Sequence, residues 1–329
     1  MPKKIKIGLF GVGHLGKIHA KLLNEITGFE LVGFFDPDAA KAVEVEKMGL
    51  KRFESASDLI AACDAADVVC NTAAHFEVAL AVAKAGKHLF IEKPVTETIT
   101  QAKALLKVVE EAGIKAMVGH VERFNPAMLS LDRSKIKPVF IEVHRLAQFN
   151  PRGTDVSVVH DLMIHDLDII IDLVKSPVHK VYASGVAIVS TSPDIANARI
   201  EFANGCVANL TASRISMKNM RKMRIFQPGA YLSIDFLKGK SDVLKMHHRQ
   251  PSTDIPSFEM ELGGSKKYIS MQTFSKQDVN AIKLELELFY QSIAKNKPVP
   301  VSVEAGYHAM LLAQQIMDAI EKHAGTVKI

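Results

Sequence analysis

Residues 5–16 read IKIGLFGVGHLG: an apolar run leads directly into three glycines spaced as Gly-x-Gly-x-x-Gly, and a helical pattern of apolar residues follows. This order predicts a strand, a tight turn and a helix. Gly11 permits the turn, Gly13 lets backbone N–H groups come close to a pyrophosphate, and Gly16 lets the helix pack against the sheet. Because the first N–H groups of a helix are unpaired, they favour such an anion. The stretch predicts the phosphate-binding turn of a dinucleotide-binding domain.

A second apolar run, residues 30–35, ends on Asp36, twenty residues after Gly16. A carboxylate there accepts hydrogen bonds from the ribose hydroxyls of an adenosine. The 2′-phosphate of NADP would lie about 4 Å from it, and the repulsion would cost about 1 to 4 kcal/mol at effective dielectric constants of roughly 80 to 20. NAD is therefore predicted, and NADP is less favoured. The alternative is an ordinary turn followed by an ordinary strand-end acid, which the joint spacing disfavours.

Composition sets the broad class of the protein. A chain of 329 residues, 48% apolar and 23% charged, is typical of a globular protein with about two domains. The net charge of +5 is too small to favour a nucleic-acid partner, although it suits an anionic ligand. Three cysteines without Cys-x-x-Cys spacing predict reduced residues of a cytoplasmic protein. The short apolar run after Met1 predicts the first strand rather than a signal peptide, and no run predicts a membrane span.

The pattern along the chain predicts two domains. Strands alternate with helices up to residue 121, as in a doubly wound parallel sheet covered on both faces, so residues 1–121 are predicted to form a dinucleotide-binding Rossmann domain. Residues 122–329 are predicted to form an α+β domain with a mostly antiparallel open sheet, which binds substrate and forms oligomers. Within it, residues 240–278 look polar and irregular, and two amphipathic helices close the chain.

Three predicted strand ends carry polar residues, at the edge of a parallel sheet where ligands bind. Thr72 and His75 begin a helix after one strand, although His75 is equally well explained as an ordinary helix-start residue. Glu92-Lys93-Pro94 follows the next strand, and a lysine there is well placed at a cleft. Residues 119–126, GHVERFNP, follow the last strand and add His120, Arg123 and Asn125 as candidates for substrate contact.

The segment 158–174 predicts a helix that is apolar around most of its circumference. At 100° per residue, four polar residues fall within about 60° of one another, and such a stripe is predicted to face a cavity. A half-exposed helix with solvated acids is the alternative. Asp166 lies among the apolar positions and has no explanation from the pattern. The stripe consists of Asp161, His165, Asp168 and Asp172.

Five basic residues crowd the connection between two predicted strands in the second domain. They form either a patch that faces a phosphate or a solvated loop, and the loop is slightly favoured. These residues are Arg214, Lys218, Arg221, Lys222 and Arg224.

Together the glycine turn, Glu92-Lys93-Pro94, and Asp161 followed four residues later by His165 resemble the glucose-fructose oxidoreductase, inositol dehydrogenase and MocA (Gfo/Idh/MocA) family. The resemblance spans essentially the whole chain. Residues 119–126 and 161–168 are similar to the bacterial branch of this family related to UDP-N-acetylglucosamine 3-dehydrogenases. The segment 152–157 departs from the family because it lacks the usual glycine cluster, and Arg152 and Asp155 are candidates to replace those backbone contacts.

The resemblance implies an oxidoreductase that moves a hydride between a sugar or nucleotide-sugar carbinol and NAD, with the 3-position of a UDP-N-acetylhexosamine as the best candidate. It implies His165 as the base, Asp161 as the group that orients it, and Lys93 as the donor to the carbinol oxygen. Arg123 is the best candidate to bind a diphosphate or a carboxylate of the substrate, because its planar fork matches those groups. The candidate cofactor residues are Gly11, Gly13, His14, Leu15, Gly16, Asp36, Thr72, His75, Glu92 and Lys93.

Two other functions fit the same resemblance. One is an NAD-dependent glycosidase on this fold, and the other is a sensor that binds the dinucleotide without catalysis. No metal site is predicted, because His247-His248 has no partner at ligand spacing. In keeping with the family, a homodimer or homotetramer is expected to form through the C-terminal sheet.

Overall fold

The protein is described by a computed structural model that covers residues 4–150, 156–252, 254–276 and 279–324. The described residues form two compact units, one within 1–121 and 280–310, the other within 122–279 and 311–329. The strands are β1 (Ile5–Phe10), β2 (Phe29–Phe35), β3 (Ala65–Val68), β4 (His88–Glu92), β5 (Ala116–Gly119), β6 (Phe140–Leu146), β7 (Val178–Val186), β8 (Ile195–Phe202), β9 (Val207–Ser213), β10 (Met220–Gln227), β11 (Ala230–Asp235), β12 (Lys240–His247), β13 (Ser257–Leu262) and β14 (Ser265–Ser275). The helices are α1 (His14–Glu25), α2 (Ala39–Glu46), α3 (Ala56–Ala62), α4 (Thr72–Lys84), α5 (Ile99–Ala112), α6 (Pro126–Leu129), α7 (Ile164–Val174), α8 (Ala281–Ala294) and α9 (Val303–Ala324).

The first unit is built on a five-stranded parallel sheet in the order β2-β1-β3-β4-β5. The strand order reverses between β1 and β3, so their carboxyl ends border the crevice where doubly wound sheets bind ligands. The predicted parallel sheet is confirmed. In the segment that precedes α3, Arg52 forms an isolated bridge with Phe34 of β2.

Residues 280–310 pack in the first unit, whereas the sequence pattern assigns them to the second domain. The side chain of Asn280 accepts a hydrogen bond from the backbone N–H of Lys283 and so begins α8. Aromatic side chains then join α8 to the sheet, with ring centroids 5.8 Å apart for Phe90 and Phe289 and 5.4 Å apart for Phe29 and Tyr290. Burying large aromatic rings is strongly favourable, which explains why this distant segment returns to the first unit.

The second unit contains a nine-stranded sheet in the order β13-β14-β12-β11-β10-β6-β9-β8-β7. Among the strands described, β6 and β9 form the one parallel pair, and the other neighbours are antiparallel. Alternate residues of β6 point to a core shared with α7 and the end of α9, among them Ile141 and Val143. The mostly antiparallel second sheet is confirmed.

Residues 240–275 form three strands, so the expectation of an irregular segment over 240–278 is wrong. The strands β12, β13 and β14 pair in register at one side of the sheet. Every residue of β13 is exposed, and β12 and β14 bury few side chains. In β13, Phe258, Met260 and Leu262 alternate with polar residues, which is a strand pattern, whereas β12 and β14 lack such regular alternation.

The three cysteines, Cys63, Cys70 and Cys206, are free. Burial raises the pKa of each thiol to about 11, so the thiols stay protonated at neutral pH. In the described part of the chain, no helix combines the length and the apolar character that crossing a membrane requires.

Candidate cofactor and active site

Two glycines of the turn are required by the protein's own packing. Gly11 has a φ of +98°, and a Cβ there would lie 2.5 Å from the Cα of Cys70. A Cβ on Gly16 would lie 2.2 Å from the carbonyl oxygen of Gly11. Both distances are far inside van der Waals contact, so only glycine fits at these two positions.

Gly13 differs from both, because the folded chain does not require a glycine there. Its φ of −62° suits any residue, and no atom lies within 4 Å of the Cβ that a larger residue would carry. Gly13 lines a cavity of about 380 Å³ next to the turn. The free space at Gly13 therefore fits a group that approaches the backbone from outside the chain, as a pyrophosphate does.

The cavity is bordered by the glycine turn, by the end of β2 and by the segment from β3 into α4. Its walls combine apolar side chains with one buried carboxylate, a composition suited to an adenosine. His14 and Leu15, both predicted cofactor residues, lie on its border. The lining residues include Gly11, Gly13, His14, Leu15, Asp36, Val69, Cys70, Asn71, Ala74 and Val78.

Asp36 lies at the end of β2 and is 7% exposed. One carboxylate oxygen accepts from the backbone N–H of Val12 at 2.8 Å, and the other accepts from that of Asp38 at 2.9 Å. Each oxygen keeps further acceptor capacity for a ribose hydroxyl. The bond to Val12 also ties the acid to the glycine turn, so Asp36 stabilises the turn. Spacing alone does not indicate this second role.

Arg52 also lies at the end of β2, although the sequence spacing does not indicate it. Its guanidinium donates to the backbone carbonyl of Asp36 at 3.0 Å and so braces the same strand end. It comes from the segment whose only pairing is the bridge to Phe34. The sequence pattern does not indicate that this arginine reaches the carbonyl of Asp36.

His75, in the first turn of α4, is 1% exposed and is held by two backbone carbonyls. Its ring nitrogens lie 2.8 Å from the oxygen of Pro94 and 3.1 Å from that of Cys70. Burial lowers its pKa, so at neutral pH the ring has one N–H and donates to one of these carbonyls. These contacts favour the structural alternative for His75. Thr72, the first residue of α4, is half-buried.

Glu92 and Lys93 lie at the end of β4. The Glu92 side chain turns back, so that one carboxylate oxygen accepts from the backbone N–H of Lys93 at 3.2 Å. A Cβ on Gly119 would lie 2.6 Å from the other oxygen, so this glycine makes room for the carboxylate. Lys93 is half-buried, and the bond to Pro94 is cis.

Glu92 belongs to a group of buried titratable side chains that no sequence pattern predicts, here named the His19 cluster: His19, Asp67, Glu92 and Glu285. The His19 ring lies 2.9 Å from Asp67 through Nδ1 and 3.5 Å from Glu92 through Nε2. Burial opposes a charge on His19, but the two carboxylates outweigh it and raise the pKa of His19.

Glu285 of α8 is fully buried, and neither of its carboxylate oxygens has a hydrogen-bond partner among the described residues. Burial, with the charges of Glu92 and Asp67, raises its pKa well above the ordinary value. Burial also raises the pKa of Glu92, against the opposing charges of His19 and Lys93. We interpret Glu285 as the neutral acid of the cluster.

Glu285→Gln is expected to stabilise the protein, increasingly so at higher pH. The unfolded carboxyl ionises near pH 4, whereas the folded one ionises well above that, so this group stabilises the fold at low pH only. Wild-type stability then falls by about 1 kcal/mol per pH unit as the pH rises between the two values, and Gln removes that loss. Urea unfolding from pH 6 to pH 8 measures the gap. The control Glu287→Gln, at a half-buried site on α8, should show no widening gap, and a constant gap for Glu285→Gln would contradict a neutral Glu285.

In the second unit, Asp161 and His165 lie on either side of a change in helix type. Residues 159–163 form a π-helical turn, and α7 begins at Ile164. The predicted projection at 100° per residue is therefore wrong over this turn, because a π turn holds about one residue more than an α turn. Both side chains are half-buried. π-helical turns occur often at functional sites, which agrees with the predicted roles.

Asp168 and Asp172 do not face a cavity as the stripe predicts. Arg123 binds Asp168 through two hydrogen bonds of 2.6 Å and reaches Asp172 at 2.9 Å. Asp172 also pairs with Arg133. Arg123 is 6% exposed, so its fork is already occupied by carboxylates. This geometry argues against a substrate diphosphate on Arg123.

Asp166, which the pattern leaves unexplained, forms a buried pair with Arg145 of β6. The guanidinium binds both oxygens of Asp166, at 2.6 and 2.9 Å, and binds Glu122 at 3.0 Å. Although burial opposes the charge, the two carboxylates raise the pKa of Arg145, so it stays cationic. Arg145 occupies a core-facing position of the alternating strand β6. Because a buried arginine needs an acidic partner, this position is the one sequence feature that indicates such a partner.

One further substrate candidate, Asn125, has a structural role. Asn125 caps α6, accepting from the N–H of Ala127 and donating to Glu122 and to the carbonyl of Phe236. His120 follows β5 and is 1% exposed. The last two candidates, Arg152 and Asp155, lie outside the described residues.

Most of the basic residues at 214–224 pair with acids or carbonyls. Arg221 contacts Glu122, Lys222 contacts Asp235, and Arg224 contacts Glu142. Arg214 is buried and donates to a backbone carbonyl. These pairs favour a structural role over a phosphate-facing patch.

Comparison with known proteins agrees with this geometry. Residues 5–120 match the Gfo/Idh/MocA family model described as an oxidoreductase family with an NAD-binding Rossmann fold. Residues 145–329 match the model for the C-terminal alpha/beta domain of that oxidoreductase family.

Named relatives cover nearly the whole chain. UDP-N-acetylglucosamine 3-dehydrogenase from Acidithiobacillus ferrooxidans is 37% identical over 96% of this chain and 97% of its own length. A solved structure of that enzyme superposes with a TM-score of 0.86 at 34% identity, covering 97% of this chain and 99% of the other. A scyllo-inositol 2-dehydrogenase (NAD(+)) from Bacillus subtilis is 29% identical over 66% of this chain and 69% of its own length.

Proposed function

Because the chain belongs to the Gfo/Idh/MocA family of NAD-dependent oxidoreductases, we propose that it oxidises carbon 3 of a UDP-N-acetylhexosamine, best UDP-N-acetylglucosamine, with NAD+ as the hydride acceptor. The 37% identity with a UDP-N-acetylglucosamine 3-dehydrogenase over nearly the full length of both chains carries the choice of substrate.

The cofactor is held by the first unit. The glycine turn and the N-terminus of α1 bind the pyrophosphate, while Asp36 binds the adenosine ribose and disfavours NADP. The open space at Gly13 and the buried, oriented carboxylate of Asp36 support this placement. When bound, NAD+ supplies the carbon that accepts the hydride.

Three side chains handle the proton and the developing charge. His165 takes the carbinol proton, since an imidazole titrates closest to neutral pH. Asp161 orients the imidazole and stabilises its cation. Lys93 donates to the carbinol oxygen as negative charge develops there. Lys93 belongs to the first unit, and Asp161 and His165 to the second.

A screen for NADH formation tests the proposed reaction. Purified protein and NAD+ are mixed with UDP-N-acetylglucosamine, other UDP-sugars, free sugars and inositols, and NADH absorbance is followed. We expect the largest kcat/KM with UDP-N-acetylglucosamine. Hydrolysis without NADH accumulation would instead indicate the glycosidase, and NAD+ binding without any turnover would indicate the sensor.

Gly13→Ala separates cofactor binding from folding. The added methyl group meets no protein atom but occupies the place of the pyrophosphate, so we expect NAD+ to bind about 100-fold more weakly, or roughly 3 kcal/mol. The melting temperature of the apo protein should stay near that of the wild type. Calorimetric titration and thermal unfolding measure the two quantities, and unchanged NAD+ affinity would refute the placement of the pyrophosphate.

Two further expectations complete the proposal. The enzyme is cytoplasmic, which suits its three free cysteines. It forms a homodimer or homotetramer through the sheet of the second unit, where strands such as β13 expose apolar side chains, including Phe258 and Leu262. Light scattering of the purified protein measures the oligomeric state.

A further inference from the structure

The proposed reaction assigns no role to the His19 cluster, yet one member, Glu92, contacts the backbone of Lys93. Its four members are at most 8% exposed and come from four elements: His19 from α1, Asp67 from β3, Glu92 from β4 and Glu285 from α8. Burying four titratable groups is costly unless they stabilise one another. Such a cluster at the edge of a cofactor site therefore calls for a functional explanation.

A continuous chain of contacts joins the cluster to the lysine. Asp67 lies 2.9 Å from Nδ1 of His19, and Nε2 lies 3.5 Å from one oxygen of Glu92. The other oxygen of Glu92 accepts from the backbone N–H of Lys93 at 3.2 Å. Gly119 leaves no room for a side chain beside this carboxylate. The imidazole thus determines where the carboxylate lies, and the carboxylate holds the backbone of Lys93.

We propose that His19 is a positioning residue for Lys93 and acts through the carboxylate of Glu92. The inference deepens the proposed function, because it rests on Lys93 as the donor to the carbinol oxygen. Nε2 makes no hydrogen bond among the described residues, and its contact with Glu92 at 3.5 Å is electrostatic. Only an imidazolium carries an N–H on both ring nitrogens, so only this form attracts Glu92 while it donates to Asp67. A small displacement of a catalytic group lowers the rate by a large factor, so the contact of Glu92 with Lys93 matters for turnover.

The link has a defined pH dependence. The groups that face the imidazole are Asp67 from β3 and Glu92 from β4, with Lys93 beside Glu92 and Glu285 of α8 acting on both acids through its charge state. Since the pKa of His19 is raised, the positive charge that holds the link is lost as the pH rises through the raised value.

Two substitutions divide the ring's contacts. The amide of Asn can take the place of Nδ1 and keep the bond to Asp67, whereas the amide of Gln can take the place of Nε2 and keep an N–H directed at Glu92. We expect His19→Asn to lower kcat by about 10- to 100-fold with NAD+ affinity within about threefold, and His19→Gln to restore most of the rate. If His19 had only a structural role, the loss of kcat in each variant would instead follow the loss of its melting temperature.

A double-mutant cycle tests whether the effect passes through Lys93. In a Lys93→Ala background, His19→Asn should change the residual kcat by less than about twofold, because the group it positions is gone. If the losses of kcat from the two substitutions multiplied, the proposal would be overturned.

A second readout needs no substrate and separates this inference from the proposed function. Hydrogen exchange of the Lys93 amide, followed by NMR in the protein without substrate, should be about tenfold faster in His19→Asn than in the wild type and near the wild-type rate in His19→Gln. Equal exchange in all three proteins would overturn the proposal, even if no UDP-sugar is turned over.

Discussion

His165→Ala is expected to lower turnover by about 10²- to 10⁴-fold while leaving NAD+ affinity unchanged. The proposed base lies in the second unit, whereas the glycine turn and Asp36 lie in the first, so removing the imidazole should not disturb cofactor binding. Steady-state kinetics with UDP-N-acetylglucosamine measure kcat, and calorimetric titration measures the dissociation constant of NAD+. We expect kcat to fall while the dissociation constant of NAD+ stays the same.

His160 provides the matched control for His165. It is a half-buried histidine on the adjoining π-helical turn, and its Nδ1 lies 3.0 Å from the hydroxyl of Ser157. Burial lowers its pKa, and we assign it no part in the reaction. His160→Ala should therefore keep kcat within about threefold of the wild type. Equal losses in both variants would show that the helix, and not the imidazole of His165, is being tested.

Arg145→Met is expected to destabilise the protein by about 3 to 5 kcal/mol. The arginine is 3% exposed and holds Asp166 through two hydrogen bonds and Glu122 through a third. Methionine fills much of the space but leaves the buried Asp166 without its cation and leaves Glu122 with the half-exposed Arg221. The free energy of unfolding from urea titration measures the loss.

Arg221→Met is the control for this substitution. Arg221 also contacts Glu122, at 3.4 Å, but nearly half of its side chain is exposed to solvent, and exposed pairs contribute roughly 0 to 1 kcal/mol. If the two variants lost similar stability, burial would not be what makes the Arg145 network important.

The features that the sequence predicts are those determined by neighbouring residues. The glycine turn and Asp36 lie within 26 residues of each other, and their spacing alone indicates a nucleotide-binding strand, turn and helix. Likewise the alternation of strands and helices is sufficient to predict a parallel sheet. Such local patterns need no knowledge of which distant segments meet.

The features that escape the sequence depend on distant partners. Asp166 makes no sense on an apolar helix until Arg145 of β6 is seen beside it. The guanidinium of Arg123 would fit a diphosphate, but in the structure it binds Asp168. His19 and Glu285 are 266 positions apart in the chain and meet in one cluster only because α8 returns to the first unit.

The helix that carries the predicted base shows a different limit. A projection at 100° per residue assumes an α-helix throughout, and the π-helical turn at 159–163 changes the angle between Asp161 and His165. The sequence of that turn shows no pattern that distinguishes a π-helical turn from an α-helical one. Side-chain direction there is known only from the structure.

The fate of the hydrogen on carbon 3 of the substrate tests the central claim most directly. UDP-N-acetylglucosamine carrying deuterium at carbon 3 is incubated with the protein and NAD+, and the reduced cofactor is isolated for mass spectrometry and NMR. We predict that the deuterium appears on C4 of the nicotinamide. Reduced cofactor that carries only ordinary hydrogen, or no reduced cofactor at all, would contradict the account.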